Sequence, residues 1–282
     1  MLAELPEMKY GNYPGDGNHL TLSSSERSEL ILQHPELGNL VRPVFGAQEF
    51  IKGLSRYCLW IDDDDLEIAK SVAIVANRIE AVRDVRMNSR DKSLNKLSVR
   101  PHQYRDRNVA QNHLILVPTV SSEQREYIPT DLKSLKALTT NQSFALYDAP
   151  LWSMSVVASR IHLVWISTVC GKLKTDFRYS NTLGWNTFPV PTLTDQNKAD
   201  LTRSAEDILL ARERYFPATL AQPLCKRIAD MYDPKRMDTE FPLVREAHDR
   251  NDEILERIYI GRRFKNDTVR VALRSKSARK IV

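Results

Sequence analysis

Cysteine is scarce in this sequence and poorly placed for a framework. Cys58, Cys170 and Cys225 are odd in number, far apart, and include no Cys-x-x-Cys pair. That argues against a disulfide scaffold or a thiolate zinc site and fits a reducing, cytoplasmic setting. Long apolar runs are also missing. The richest, residues 151–170, is interrupted by Arg160, His162 and several serines, which suits a buried helix, so no membrane partner is expected. The opening MLAELPEMKY carries two acids and no apolar core, so no signal peptide is expected either. None of the six histidines stands in an HExxH arrangement. Gly15-Asp16-Gly17 is too short for a phosphate loop and reads as a turn. Asp176, near Lys172 and Lys174, is one carboxylate where metal-dependent nuclease chemistry needs several. No catalytic, cofactor-binding or metal-ligating residue is therefore assigned.

What the chain does have is enough length and apolar content for a core. Its 282 residues allow one large domain or two ordinary ones, and 42% hydrophobic with 27% charged residues is ordinary for a soluble globular protein. The net charge of +5 is unevenly spread: residues 83–107 carry +5, residues 261–282 carry +7, and the remainder is negative. Two basic segments on a chain otherwise acidic are what a polyanion-binding surface requires, and also what solvated helices and tails show.

Ser24 or Ser25 can cap a first helix. The apolar run Cys58, Leu59, Trp60, Ile61 ends at four aspartates, residues 62–65. Ile68, Val72, Val75, Ile79 and Val82 then recur at helical spacing, so the aspartates read as a helix start complementing the macrodipole; consecutive carboxylates do not converge on one ion. Strands are expected at residues 112–117, closed by Pro118, and at 143–148. An apolar helix is expected over residues 152–169, with Gly171 as its C-cap and Lys172 and Lys174 at its carbonyl end. Pro189 and Pro191 mark a boundary. Beyond it, amphipathic helices place Leu201, Ala205, Ile208 and Leu209 on one face, and Val244, Ala247, Ile254, Leu255 and Ile258 on another.

Candidate binding residues fall in three places. Arg100, His102, Gln103 and Arg105, with Tyr104 and Arg107, precede a strand. Ser121, Ser122, Gln124 and Arg125 form a second polar loop. Lys172, Lys174 and Arg178 lie in the stretch VCGKLKTDFRYSNTLGWNTFPVP. Arginine and glutamine can contact base edges bidentately, while lysine and serine suit phosphates.

The segments YGNYPGDGNHLTLS, VRPVFGAQEFIKGLSRYCLWI, VPTVSSEQREYIP, VCGKLKTDFRYSNTLGWNTFPVP and DMYDPKRM follow one another in a familiar order. Together they resemble the C-terminal half of the large MmeI-like (type IIL) restriction–modification methyltransferases, over residues 9–259. The resemblance implies an α+β fold: a mixed sheet with packed helices as a target recognition domain, residues 1–192, then a small all-helical C-terminal domain with a basic tail, residues 193–282. It implies recognition of double-stranded DNA, with residues 121–125 as the leading DNA-facing loop. Catalysis in that family lies upstream, with an S-adenosylmethionine loop and an Asn-Pro-Pro motif serving adenine-N6 methylation; neither occurs here. S-adenosylmethionine is thus expected in a catalytic domain or partner subunit outside this chain. Two departures stand out. Asn18 replaces a second glycine after Gly17, a substitution asparagine can accommodate at positive φ, and the ending after Gly261 loses its apolar stripe. The alternative reading is a docking module that uses the aromatics of residues 177–188, Trp185 above all, without reading DNA.

Overall fold

The computed structural model describes residues 4–216, 225 and 227–270. Strands β1 (Lys9–Tyr10) and β2 (Thr21–Leu22) flank the GDGN turn. Gly15, Gly17 and Asn18 take φ of 56°, 64° and 71°, and the buried Asp16 ties the turn together by accepting the backbone N–H groups of Asn18 (2.9 Å) and Leu20 (2.7 Å). Asparagine does hold the left-handed position expected of it. Helix α1 (Ser24–Gln33) is capped by Ser23, and not by Ser24 or Ser25 as expected. Ser23 Oγ accepts from the Glu26 N–H and Glu26 Oε2 accepts from the Ser23 N–H, a complete capping box. Strand β3 (Val41–Phe45), helix α2 (Ala47–Lys52) and strand β4 (Tyr57–Leu59) follow.

The long helix expected after the aspartates is two helices, α3 (Leu66–Ser71) and α4 (Ala73–Met87), broken where Val72 goes extended. Val75, Ile79 and Val82 are buried as expected, whereas Ile68, before the break, is 41% exposed. The aspartate side chains make no capping hydrogen bond; Asp62 and Asp63 reach instead to Arg107 and to His102 and Gln103. A short helix, α5 (Lys92–Asn95), precedes an irregular run.

Strands β5 (His113–Pro118), β6 (Val120–Ser121), β7 (Asp131–Ser134), β8 (Leu138–Thr139) and β9 (Ser143–Tyr147) come next. The apolar runs of β5 and β9 pair antiparallel, Ile115 opposite Leu146, at the centre of a sheet ordered β1-β9-β5-β7. A mixed sheet, β2-β4-β3-β8, joins β3 and β8 in parallel and its other pairs antiparallel.

The apolar helix over residues 152–169 is also divided, into α6 (Trp152–Val157) and α7 (Arg160–Val169). Ser159 causes the break: its hydroxyl accepts the His162 N–H (3.2 Å) and so caps a new helix, while donating to the Val156 carbonyl (2.7 Å). Gly171 is not a C-cap. Cys170 ends α7, and Gly171 opens strand β10 (Gly171–Leu173), which turns into β11 (Asp176–Arg178). Helices α8 (Asp195–Glu213), α9 (Ile228–Met231), α10 (Pro234–Met237) and α11 (Pro242–Ile260) complete the described chain. Of the basic tail expected beyond Gly261, residues 262–270 are described and residues 271–282 lie outside the described residues.

Two large cores organise these elements, with a smaller cluster of Phe50, Ala110, Leu114, Leu116 and Ala145 on the other face of β5 and β9. One runs from Leu20 to Leu138 and holds the mixed sheet with α4. The larger one joins Ile115 and Phe144 to Val157, Tyr179, Leu201 and Leu255. The apolar packing therefore passes through residue 192 without a gap, with α6 and α11 both against α8.

Candidate nucleic-acid interface

The hairpin β10–β11 is built around a two-residue turn, Lys174 and Thr175, with Leu173 opposite Asp176 and Lys174 at φ 57°. Its second strand pairs with β6, Phe177 opposite Ser121 and Arg178 opposite Val120. Segments about 50 residues apart thus form one small antiparallel sheet, β10-β11-β6. Beyond β6 the chain turns through residues 122–125, where the Arg125 N–H donates to the Ser122 carbonyl (3.2 Å). Lys172 Nζ crosses to Glu123 Oε2 at 2.9 Å, fastening hairpin to loop. Between this sheet and α2 lies a groove of about 480 Å³, lined by Ser122, Arg125, Leu173 and Asp176 on one side and Gln48 and Lys52 on the other.

The charges there are unevenly matched. Lys174, Arg178 and Gln124 are exposed, and among the described residues neither Lys174 nor Arg178 forms an ion pair. Arg125 is half-buried; burial draws its guanidinium below the usual value, and Asp176, Tyr232 and Asp233 oppose this only in part. Such a partly desolvated cation is an attractive seat for an anion. Ser121 differs from its neighbours: it is buried, and its side chain does not belong to this surface.

The other predicted loop turns inward. His102 and Gln103 are buried; both meet Asp63 Oδ1, at 2.8 and 2.9 Å, and hold that carboxyl below its ordinary range. Arg100 donates to Gln103 Oε1 (3.0 Å) and to the Arg105 carbonyl (3.1 Å). Arg105 lies 3.5 Å from Asp91 and covers the Tyr13 ring, while Arg107 pairs with Asp62 over the Trp60 ring. Beneath them Arg86, fully buried, donates to the carbonyls of Pro14, Gly15, Leu97, Arg100 and Gln103. The physical reason is plain: an irregular segment has carbonyls that no ladder satisfies, and long donors supply the missing bonds. Much of the positive charge of residues 83–107 is internal mortar.

Residues 1–192 match the MmeI target recognition domain, and residues 193–278 match the MmeI C-terminal domain. The chain belongs to the MmeI family. It is 35% identical over 270 residues to DNA methyltransferase A of Bacillus subtilis (strain 168), covering 96% of this chain and 29% of that protein. It is also similar to the solved structure of the type IIL restriction–modification enzyme MmeI in complex with DNA. There the TM-score is 0.88 at 27% identity, covering 99% of this chain and 36% of that one. The chain spans about a third of the length of these relatives. The α+β architecture, with its mixed sheet, packed helices and helical C-terminal region, is the one the MmeI-family resemblance implied.

Within this MmeI-family chain the aromatic stretch is core and not a docking face. Tyr179, Trp185 and Phe188 are buried around His162, whose Nε2 meets the Tyr179 hydroxyl at 2.9 Å. Trp185 Nε1 donates to the Pro6 carbonyl (2.7 Å), so the proposed surface anchor is an internal one. Lys172 and Lys174 lie on the hairpin rather than at a helix end, because Gly171 begins a strand. Among the described residues no three His, Cys, Asp or Glu side chains converge as a metal site would need, and no helix is long and apolar enough to cross a membrane.

Sequence reasoning missed a buried polar network behind residues 122–131. Tyr127, Arg160, Arg212, Arg245 and Asp252 compose it. One signal was available: His248, Asn251, Asp252 and Glu256 fall at spacings of three, one and four on the buried side of α11. Polar residues on the apolar stripe of an amphipathic helix need partners.

Proposed function

We propose that this chain is the sequence-reading part of a DNA adenine-N6 methyltransferase of a restriction–modification system. Residues 1–192 form the recognition domain that engages duplex DNA, and residues 193–282 form the helical domain with its basic tail. A catalytic region outside this sequence, in the same polypeptide or a partner subunit, binds S-adenosylmethionine and transfers the methyl group, in a cytoplasmic setting. The observation that carries this reading is the surface made by loop 122–125 and the hairpin, where, among the described residues, no carboxylate is bound to Arg125, Lys174 or Arg178. Cations left unmatched on one face suit phosphates and release counterions on binding. Gln124 and Arg125 have the donors and acceptors for base edges. The similar solved structure is of an enzyme in complex with DNA, and the similar Bacillus protein is called a DNA methyltransferase; the sequence itself has no Asn-Pro-Pro motif.

The DNA-facing set is therefore Ser122, Gln124, Arg125, Lys174 and Arg178, with Lys172 bracing the loop through Glu123. Arg100, His102, Gln103, Arg105 and Ser121 are left out of it because their side chains are engaged or buried within the fold. Anisotropy titrations of labelled duplexes across a salt series test this. Arg125→Ala, Lys174→Ala and Arg178→Ala should each weaken binding and reduce the salt slope by about 1 for every phosphate no longer neutralised, whereas Gln124→Ala should mainly relax sequence preference. Absence of duplex binding at low salt, with or without the catalytic partner, would end this reading.

A further inference from the structure

The tip of the groove-facing loop and its base are held very differently. At residues 122–125 the internal bonds are sparse: Arg125 N–H to the Ser122 carbonyl, and Gln124 N–H to Ser122 Oγ at 3.4 Å. From residue 126 onward, side chains from three helices seize the chain. Arg245 of α11 donates to Glu126 Oε2 at 2.8 Å, and Arg160 at the start of α7 donates to the Glu126 carbonyl at 3.1 Å. The Tyr127 hydroxyl donates to Asp252 Oδ2 at 3.0 Å, and its ring stacks on His248 with centroids 4.2 Å apart. Asp252 Oδ1 also accepts the Arg160 N–H (2.8 Å), so one carboxyl joins the loop to α7. Arg212 of α8 closes the far end, donating to the Thr130 carbonyl (2.6 Å) and to Asp131 (2.9 Å).

These partners are more than packing. Arg160 is itself aimed by Asp267, and Asp267 shares Arg270 with the buried Glu256. The linkage thus runs from residues 264–270 through α11 and α7 to the backbone of residue 126, one residue from Arg125. Loops pre-set in their bound shape forfeit less conformational entropy on binding.

We propose that Tyr127, Arg160, Arg245 and Asp252 are positioning residues, through which the C-terminal helices set the shape of loop 122–126 for DNA. This rests on the reading of that loop as DNA-facing. None of the four is a phosphate or base contact, which separates them from Arg125, Lys174 and Arg178.

The experiment uses the full 282-residue chain, short duplexes carrying candidate sites, and hydrogen exchange of the free protein. Tyr127→Phe, which keeps the ring on His248, and Arg245→Ala should each speed amide exchange at residues 122–126. Each should weaken duplex binding by about five- to tenfold, the scale of removing one internal hydrogen bond, with the salt slope held and the urea midpoint lowered by no more than about 0.5 M. Arg245→Lys, which retains a charge toward Glu126, should restore much of the affinity. Unchanged exchange at residues 122–126 in both variants overturns the proposal. So does faster exchange with undiminished affinity, or a loss of affinity that arrives with a lower salt slope. If the wild-type chain binds no duplex, the DNA reading falls, and the exchange data alone then decide whether these residues order the loop.

Discussion

Arg86 offers the sharpest test of how the basic segment is used. Its Nε donates to the Gly15 carbonyl at 2.9 Å, Nη1 to Leu97 (3.1 Å) and Arg100 (2.8 Å), and Nη2 to Pro14 (3.0 Å) and Gln103 (2.7 Å). Every donor of the guanidinium is engaged. Arg86→Met keeps a similar unbranched side chain but removes five bonds: the carbonyls of Gly15 and Gln103 lose their donor, while those of Pro14, Leu97 and Arg100 keep the backbone N–H of Arg105, Arg100 and Gln103. An unsatisfied buried polar group costs about 1–3 kcal/mol, so the two carbonyls left without a donor cost about 2–6 kcal/mol, and the three weakened ones add to that. Loop relaxation and entering water offset part of that. A net loss of about 4 kcal/mol is expected, at the upper end of single substitutions. Arg86→Lys should recover less than half, because an ammonium has three donors at one point in place of a planar fork. In urea, with a slope of about 3 kcal/mol per molar for a chain of this size, the Met variant's midpoint should fall by about 1.3 M. A shift below about 0.3 M, or a lysine variant equal to wild type, would refute the argument that this arginine is a structural staple. A normally folded variant that has lost duplex affinity would return Arg86 to the interface.

Two further outcomes follow from the core and the turn. Burial pushes His162 and His248 down to about 3 from an ordinary 6.5, so each contributes stability above pH 6.5 that is lost as pH falls toward 3, about 2 kcal/mol by pH 5. Asp252 acts with the opposite sign: burial, with the charge of Glu256 adding to it, raises its carboxyl to about 7, so its ionisation weakens the fold as pH rises from 4 to 7. Urea midpoints from pH 5 to 8 should accordingly show His248→Gln gaining on wild type toward acid and Asp252→Asn gaining toward alkali; parallel curves would contradict both. At the GDGN turn, Asn18→Val should cost about 1–2 kcal/mol because a β-branched residue resists positive φ, whereas Asn18→Gly should be nearly neutral, as thermal melts would reveal.

The helices α8 and α11 and the strands β5 and β9 were legible in the sequence because each carries one strong period or one continuous apolar run. The breaks at Val72 and Ser159 were not, since an apolar stripe continues in register across a residue that leaves the helix. The sheet β10-β11-β6 was hidden for a different reason. Its strands are two or three residues long, and the pairing that defines them lies far away in sequence. At the candidate surface, the sequence singled out Arg125, Lys174 and Arg178 but could not say which way a basic loop faces. Arg100, His102 and Gln103 look equally suited to DNA until the fold shows His102 and Gln103 on the Asp63 carboxylate and Arg100 on Gln103 and the Arg105 carbonyl.

The core that passes through residue 192 limits how this protein can change. A cut there would strip α8 and α11 from α6 and bare Val157, Leu201 and Leu255 together. Recognition and C-terminal domains are thus two matches but one folding body, and neither could be traded as a cassette. Among the described residues, the tip at residues 122–125 and the hairpin turn at residues 174–175 carry few bonds to that body. On the proposed reading of that surface, a change in sequence preference belongs to these two pieces, on a frame that stays the same.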